Sequence, residues 1–258
     1  MAPYGALVFK FEQVFCSASP NYTALLDLIK KEEQTLGSAP KLLGVGARML
    51  ALKKVMAPKA YKQFYALAES AAEKAETESL SQAPLLPGVT EALEAAHAAG
   101  WLVAVASDFG GKSVFKSLEQ KSLAKKADLI VARARIDEDR QLVKKLSPVK
   151  RKVKSLTRAV YFCNRSREIK EAKSLGMRCM VLPSKTESFR TLLWAQPDGM
   201  ILSLQELPQL LELPSMKLPE QKQQVTAVPS ESLPGQPATP STKSAKADEG
   251  SSELDRLR

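Results

Sequence analysis

A single histidine, His97, occurs in the 258 residues, and that scarcity removes much of the common catalytic apparatus. A zinc site built on imidazole, or a Ser-His or Cys-His nucleophile pair, would have to use His97. It lies in the Ala-rich helical pattern 91–100, away from every candidate nucleophile, so imidazole catalysis is excluded. Cysteine is also sparse. Cys16, Cys163 and Cys179 are odd in number and widely spaced, two of them inside apolar runs. They fit buried thiols in a reducing compartment, not a disulfide framework or a metal site. No apolar run approaches the length that spans a bilayer, and only Met1–Gly5 precede the first apolar run, so no targeting leader is expected. The expected location is cytoplasmic, without membrane contact. Gly44-Val45-Gly46 lacks a preceding strand and a third glycine, which rules out a dinucleotide fingerprint. No cofactor is expected.

The residues that are present describe a soluble globular protein with a real core, 44% hydrophobic and 26% charged. Short apolar runs near 6–11, 101–106, 128–132, 159–163, 178–182 and 199–202 read as strands. Between them lie helical patterns near 89–99 and 112–121 and an almost wholly helical stretch from Asn21 to Ala83. Strands alternating with helices imply parallel pairing and right-handed crossovers, so the fold class is α/β with a doubly wound parallel sheet. Such sheets bind ligands beyond the carboxyl ends of their strands. Lys10, Ser107 and Asn164 all fall there.

Four segments place polar chemistry at those ends. The first is Ala6-Leu7-Val8-Phe9-Lys10 followed by Phe11-Glu12. The second is Leu102-Val103-Ala104-Val105-Ala106-Ser107 with the turn Asp108-Phe109-Gly110-Gly111. The third is Lys145-Leu146-Ser147-Pro148, and the fourth is Val160-Tyr161-Phe162-Cys163-Asn164-Arg165-Ser166-Arg167-Glu168-Ile169, running into a helix that closes at Leu175-Gly176-Met177. In this order and spacing, over about residues 4 to 212, the segments resemble the motifs of the haloacid-dehalogenase superfamily. The subgroup is the one with a helical cap, related to phosphoglycolate phosphatase and β-phosphoglucomutase.

The resemblance implies a Rossmann-like core (1–16 and 84–213) with residues 17–83 as the cap, Pro84-Leu85-Leu86-Pro87-Gly88 being the return linker. It also implies a degenerate active site. Lys10 stands where the family has its aspartate nucleophile, and Glu12 where it has its general acid/base. Ser107 would hydrogen-bond a phosphoryl oxygen, and Lys145 would neutralise nucleophile and phosphoryl group, with Lys144 or Lys150 as alternative sources of that ammonium. Asn164 and Glu168 replace the two acids of the fourth motif. An ammonium cannot form an acyl-phosphate. The family holds magnesium with the nucleophile, a backbone carbonyl and the first acid of the fourth motif, so Lys10 and Asn164 remove both side-chain ligands and no metal is expected. Lys10, Glu12, Lys145, Asn164 and Glu168 are together neutral.

The expectation is therefore a protein that is not an enzyme, a pseudophosphatase serving as a binding or assembly module for a protein partner or a phosphorylated or other anionic ligand. Lys10, Ser107, Lys145 and Arg165 would form the anion cradle, unless a Lys10 salt bridge to Glu12 or Glu168 collapses it. The alternative is a divergent phosphomonoester hydrolase with rewired residues, using Glu12, Glu168 or Asp108, although Asp108 reads first as a residue that shapes its turn or caps the next helix. A third alternative is a basic RNA- or ribosome-associated factor. Lys144, Lys145, Lys150, Arg151, Lys152, Lys154 and Arg158 meet no acid between 144 and 158, and Lys150, Arg151, Lys152 and Lys154 are the candidate polyanion contacts. From 214 to 258 the composition turns to Pro, Ser, Thr and Gln with balanced charge, so the net +10 resides in the part before it and disorder is expected.

Overall fold

The structure, a computed structural model, describes residues 5–37, 44–137, 142–185 and 187–212. Its framework is one sheet of six parallel strands: β1 (Ala6–Lys10), β2 (Leu102–Gly110), β3 (Leu129–Arg133), β4 (Ala159–Cys163), β5 (Arg178–Val181) and β6 (Gly199–Met200). The spatial order is β3-β2-β1-β4-β5-β6. Succession runs outward on both sides of β1, so the crevice of this fold opens beyond the carboxyl ends of β1, β2 and β4. The period-two alternation of a strand divides the core. Leu7, Phe9, Val103, Val105, Val160 and Phe162 face one way, with the Phe9 and Phe162 rings stacked 4.7 Å apart. Ala6, Val8, Ala104, Ala159, Tyr161 and Cys163 face the other. Being buried on both faces is what makes these strands read as unbroken apolar runs.

Helices cover both faces. After helices α1 (Thr23–Thr35), α2 (Val45–Val55) and α3 (Pro58–Gln82) come α4 (Val89–Ala98) and α5 (Gly111–Gln120), which pack Ala92, Leu93, Ala96, Val114 and Leu118 on the Phe9 face. The opposite face receives α6 (Leu142–Lys145), α7 (Ser147–Val153) and α8 (Ser166–Ser174) through Leu142, Leu146, Val149, Val153, Ile169 and Ala172. Short helices α9 (Phe189–Trp194) and α10 (Leu207–Glu212) complete the chain order. Pro58 begins α3 where its missing N–H costs nothing, and Tyr61, Phe64, Ala68, Ala72, Glu76 and Leu80 bury one stripe at spacings of three and four. The first four of those meet Leu25 and Ile29 of α1 and Met49 and Leu52 of α2, and Ile136 from beyond β3 joins them. The division into a core (1–16, 84–213) and a helical cap (17–83) is retained as a proposal. The expected tail, 214–258, lies outside the described residues.

One local expectation is corrected. Residues 108–111, read as a turn, belong to β2 as far as Gly110, and α5 starts at Gly111. A register shift against β3 between Ala106 and Gly110 accommodates the extension, Gly110 pairing with Arg133, and the Gly110 N–H donates to Glu76 of α3, 2.8 Å away. Among the described residues no helix is long and apolar enough to cross a membrane.

Candidate functional site

Lys10 ends β1 between two neighbouring strands, and its side chain is only 5% exposed. A buried ammonium must be surrounded by acceptors, and three carboxylates supply them. Its Nζ lies 2.5 Å from Glu168 Oε1, 2.7 Å from Asp108 Oδ2 and 3.6 Å from Glu12 Oε2. Lys145 Nζ approaches the other oxygen of Asp108 at 2.5 Å, so Asp108 is bracketed by two ammonium groups. Leu142 and Lys145 lie one helical turn apart. Burying Leu142 in the core therefore turns Lys145 toward the strand ends, whereas Lys144 and Lys150 are exposed. The reading of Asp108 as a turn-former or cap is corrected: α5 has Gly110 at its N-cap position and no side-chain cap bond.

Glu12 and Ser107 hold each other. Glu12 Oε1 accepts from the Ser107 hydroxyl and from the backbone N–H groups of Asp108 at 2.9 Å and Phe109 at 3.2 Å. Ser107 is fully buried, lines neither of the two clefts that flank the site, and gives its hydroxyl hydrogen to Glu12. Asn164 donates Nδ2 to Ser184 Oγ at 3.0 Å. Arg165, at the N-cap position of α8, is exposed and lines both clefts of the site.

Electrostatics follow from this packing. Burial opposes the charge on Lys10, but Glu12, Glu168 and Asp108 outweigh it and hold its pKa well above the usual lysine range. Burial likewise opposes ionisation of Asp108, yet Lys10 and Lys145 hold it well below the usual carboxylate range. For Glu168 burial wins over the pull of Lys10, and its pKa is raised. Cys16, at the rear of the site, is pushed up to about 12 chiefly by burial and secondarily by Glu12, which keeps it an inert thiol.

Two clefts flank the Lys10–Asp108 pair. The larger, about 290 Å³, runs from Lys10, Glu12 and Asp108 past Gln13, Ser19 and Tyr22 to Asn164 and Arg165. The smaller, about 80 Å³, lies between Asp108, Lys145, Arg165 and Glu168. A divalent metal does not fit among Glu12, Asp108 and Glu168, because the space between them is filled by the Lys10 ammonium, and among the described residues no group of three or more His, Cys, Asp or Glu could hold one. Two buried carboxylate oxygens, Glu12 Oε2 and Glu168 Oε2, find no hydrogen-bond donor among the described residues.

Sequence reading misses a second buried cluster behind the site. Arg133 pairs with Glu69 at 3.1 Å and with Glu76 at 2.8 Å, and its Nε donates to the Asp108 carbonyl at 3.2 Å. Glu76 also accepts from Tyr22 Oη and from the Gly110 N–H. A signal exists in the sequence, since Glu76 falls in phase with the buried stripe of α3. The four candidate polyanion contacts lie elsewhere: Lys150, Arg151 and Lys152 are exposed on α7 while Val149 and Val153 point inward, and exposed Lys154 follows in a left-handed conformation with φ of 65°. None of the four lines either cleft.

No family model and no curated protein sequence matches the chain. Its fold does match solved structures. CbbY from Rhodobacter sphaeroides in complex with phosphate superposes with a TM-score of 0.53 at 18% identity, covering 79% of this chain and 96% of that one. A hydrolase of the haloacid dehalogenase-like family from Streptococcus pneumoniae gives 0.55 at 10%, covering 81% and 98%. A HAD phosphatase from Thermococcus onnurineus gives 0.52 at 17%, again covering 81% and 98%. These likenesses overturn the expectation that the chain is not an enzyme. The structures sharing its fold over nearly their whole length include a hydrolase and a phosphatase. With a lysine at position 10 the centre still holds carboxylate, because Asp108 stands 2.7 Å from Lys10 Nζ.

Proposed function

We propose that this chain, whose fold is that of the haloacid-dehalogenase phosphatases, is a divergent phosphomonoester hydrolase in which the reacting carboxylate has moved from β1 to β2. The observation that carries the reading is Asp108, bracketed by Lys10 and Lys145 and lining both clefts. Its depressed pKa keeps it ionised, as a nucleophile must be. Arg165, exposed on both clefts, is the cation available to a phosphate. A cleft of about 290 Å³ suits a small phosphorylated molecule, not a polymer threaded through it.

In the proposed step an Asp108 oxygen attacks phosphorus, the P–O bond to the alcohol breaks, and Glu168, which lines the smaller cleft and enters the step protonated, protonates the departing alkoxide. Water then attacks the phosphorus of the acyl-phosphate, returning its proton to Glu168, freeing phosphate and regenerating the Asp108 carboxylate. The test is phosphate release from a panel of small phosphomonoesters by the purified chain. Turnover that falls at least about a hundredfold in Asp108→Asn, with fold retained, is the expected result. Turnover unaffected by Asp108→Asn, or none with any ester, sinks the reading, and saturable phosphate binding without turnover would leave a binding cleft only.

A second reading is favoured by the exposed cations of α7. We infer a docking surface for polyanion backbones such as RNA, sequence-nonspecific because no aromatic side chain stands among residues 144–158 to stack on bases.

A further inference from the structure

The end of β2 is held by side chains and not by its ladder alone. Ala106 pairs with Val131 and Gly110 with Arg133, so Ser107, Asp108 and Phe109 stand against Ala132 alone. A bulge of that kind leaves peptide groups to other partners and re-aims the side chain it carries. The partners here are specific. Glu12 Oε1 takes the N–H of Asp108 at 2.9 Å and of Phe109 at 3.2 Å, and Glu76 takes the N–H of Gly110 at 2.8 Å. The Asp108 carbonyl accepts from Arg133 Nε at 3.2 Å. The backbone of Asp108 is thus fixed on its N–H side by Glu12 and on its C=O side by Arg133. We propose that Arg133 is a positioning residue for the Asp108 carboxylate, acting through the peptide carbonyl while lining neither cleft of the site itself. The inference deepens the proposed hydrolase reading and rests on it for what the positioned carboxylate does.

Arg133 suits that task because its own place is fixed. Its planar fork is buried and shared between Glu69 at 3.1 Å and Glu76 at 2.8 Å, both on α3, which leaves the Nε–H directed at one peptide oxygen. Docking α3 on the sheet needs only the two carboxylate contacts. The third bond joins β3 to β2 instead, and it falls on the one residue whose side chain is bracketed by two ammonium groups, Lys10 at 2.7 Å and Lys145 at 2.5 Å. A reacting carboxylate displaced by about 1 Å forfeits on the order of a hundredfold in rate. Arg165, the proposed phosphate contact, is untouched by such a displacement, so substrate binding survives it. The signature of positioning is therefore a fall in kcat with KM kept.

The experiment compares Arg133→Lys with the native chain by steady-state hydrolysis of the best small phosphomonoester and by the carbon NMR resonance of the Asp108 carboxyl group at neutral pH. That resonance is assigned by its absence from Asp108→Asn. Lysine keeps a positive charge for Glu69 and Glu76 but carries no donor at the Nε position. The expected result is a kcat lower by at least about tenfold, a KM within about threefold of native, and a shifted Asp108 resonance. Glu69→Gln, which spares the carbonyl bond, should change none of them. A folded Arg133→Lys with native kcat and an unmoved resonance overturns the proposal, as does a loss confined to KM. An equal fall of kcat in Glu69→Gln overturns it too, by making the cluster a packing device only. Should Arg133→Lys fail to fold, Gly110→Ala is measured in the same way. Its added Cβ would stand 3.2 Å from Glu76 Oε2 and 3.5 Å from Arg133 Nη2, pressing on the pair while every hydrogen-bonding group stays in place. Unchanged kcat and resonance there sink the proposal. If no ester is turned over, the resonance decides alone, so the hydrolase reading and the positioning claim fail separately.

Discussion

Two buried clusters of mixed charge sit within one another's reach, and they differ in saturation. At Arg133 the accounts close: Glu76 accepts from Arg133, Tyr22 and the Gly110 N–H, while the guanidinium divides itself between Glu69, Glu76 and the Asp108 carbonyl. No oxygen of that cluster is left over among the described residues. At Lys10 the accounts do not close, since Glu12 and Glu168 each retain an unpartnered oxygen and clefts open on both sides of the Lys10–Asp108 pair. A saturated buried cluster fixes geometry, here the docking of α3 against the ends of β2 and β3. An unsaturated one beside a cleft is poised to take up a ligand. The distinction rests on satisfied valences and not on burial, which the two share.

The largest effect expected from that difference is in stability. Arg133→Met strands Glu76, which is 1% exposed, with no route for water, and should cost about 3–5 kcal/mol. Lys10→Met removes a cation shared by three carboxylates that border clefts and can hydrate or protonate, while Asp108 keeps Lys145 and Glu12 keeps Ser107, so it should cost about 1–3 kcal/mol. Urea unfolding of both variants with m-values unchanged is the measurement. A Lys10→Met cost equal to or above that of Arg133→Met would break the comparison.

A smaller effect separates the carboxylates of the Lys10 centre by pH. The folded-state pKa of Asp108 is lowered, so its contribution is present above the unfolded value of about 3.9 and is lost as pH falls below it. Glu168 has the opposite sign. Its folded-state pKa is raised, so its ionisation removes stability as pH climbs through the range above about 4.3. Asp108→Asn should therefore flatten the acid limb of the stability curve, and Glu168→Gln should flatten the decline toward neutral pH. Chemical unfolding at a series of pH values between 2 and 7 reads both slopes, and parallel curves for the two variants would contradict the assignment.

How much of this was legible in the sequence depends on chain distance. The strands were legible because double-sided burial leaves apolar runs ending in polar residues, and Lys10, Glu12, Asn164 and Glu168 stand out by following such runs. The choice of Lys145 over Lys144 or Lys150 was not fixed by spacing. It follows from Leu142, whose burial turns the helix so that Lys145 shares its face. Asp108 stood among the candidates, but its placement between Lys10 and Lys145 was not legible, because β2 continues past Ser107 and aims successive side chains to opposite faces where a turn would not. The Arg133–Glu76 pair was least legible, since 57 residues separate its members and only the packing of α3 against the sheet brings them together.

The smallest expected stability effect lies outside both clusters and tests whether exposure alone marks a surface as dispensable to the fold. Lys150, Arg151, Lys152 and Lys154 bury nothing charged, while Val149 and Val153 on the same helix supply the packing. Replacing the four with Gln should therefore change unfolding free energy by no more than about 0.5 kcal/mol, the range of ordinary surface substitutions. If the segment docks on polyanions, the same variant should lose association with RNA steeply at low salt. The dependence of log affinity on log salt should become shallower by about 0.7 for each single-strand phosphate contact removed and by about 0.9 on duplex. Fluorescence anisotropy with single-stranded and duplex RNA across a salt series measures it, with anionic lipid vesicles as the competing polyanion. Equal slopes for native and variant chains would reduce the segment to a solvated surface, whereas binding only to vesicles would assign the charge to lipid headgroups instead. A stability loss as large as that of Lys10→Met would mean that the exposed cations are tied into the fold.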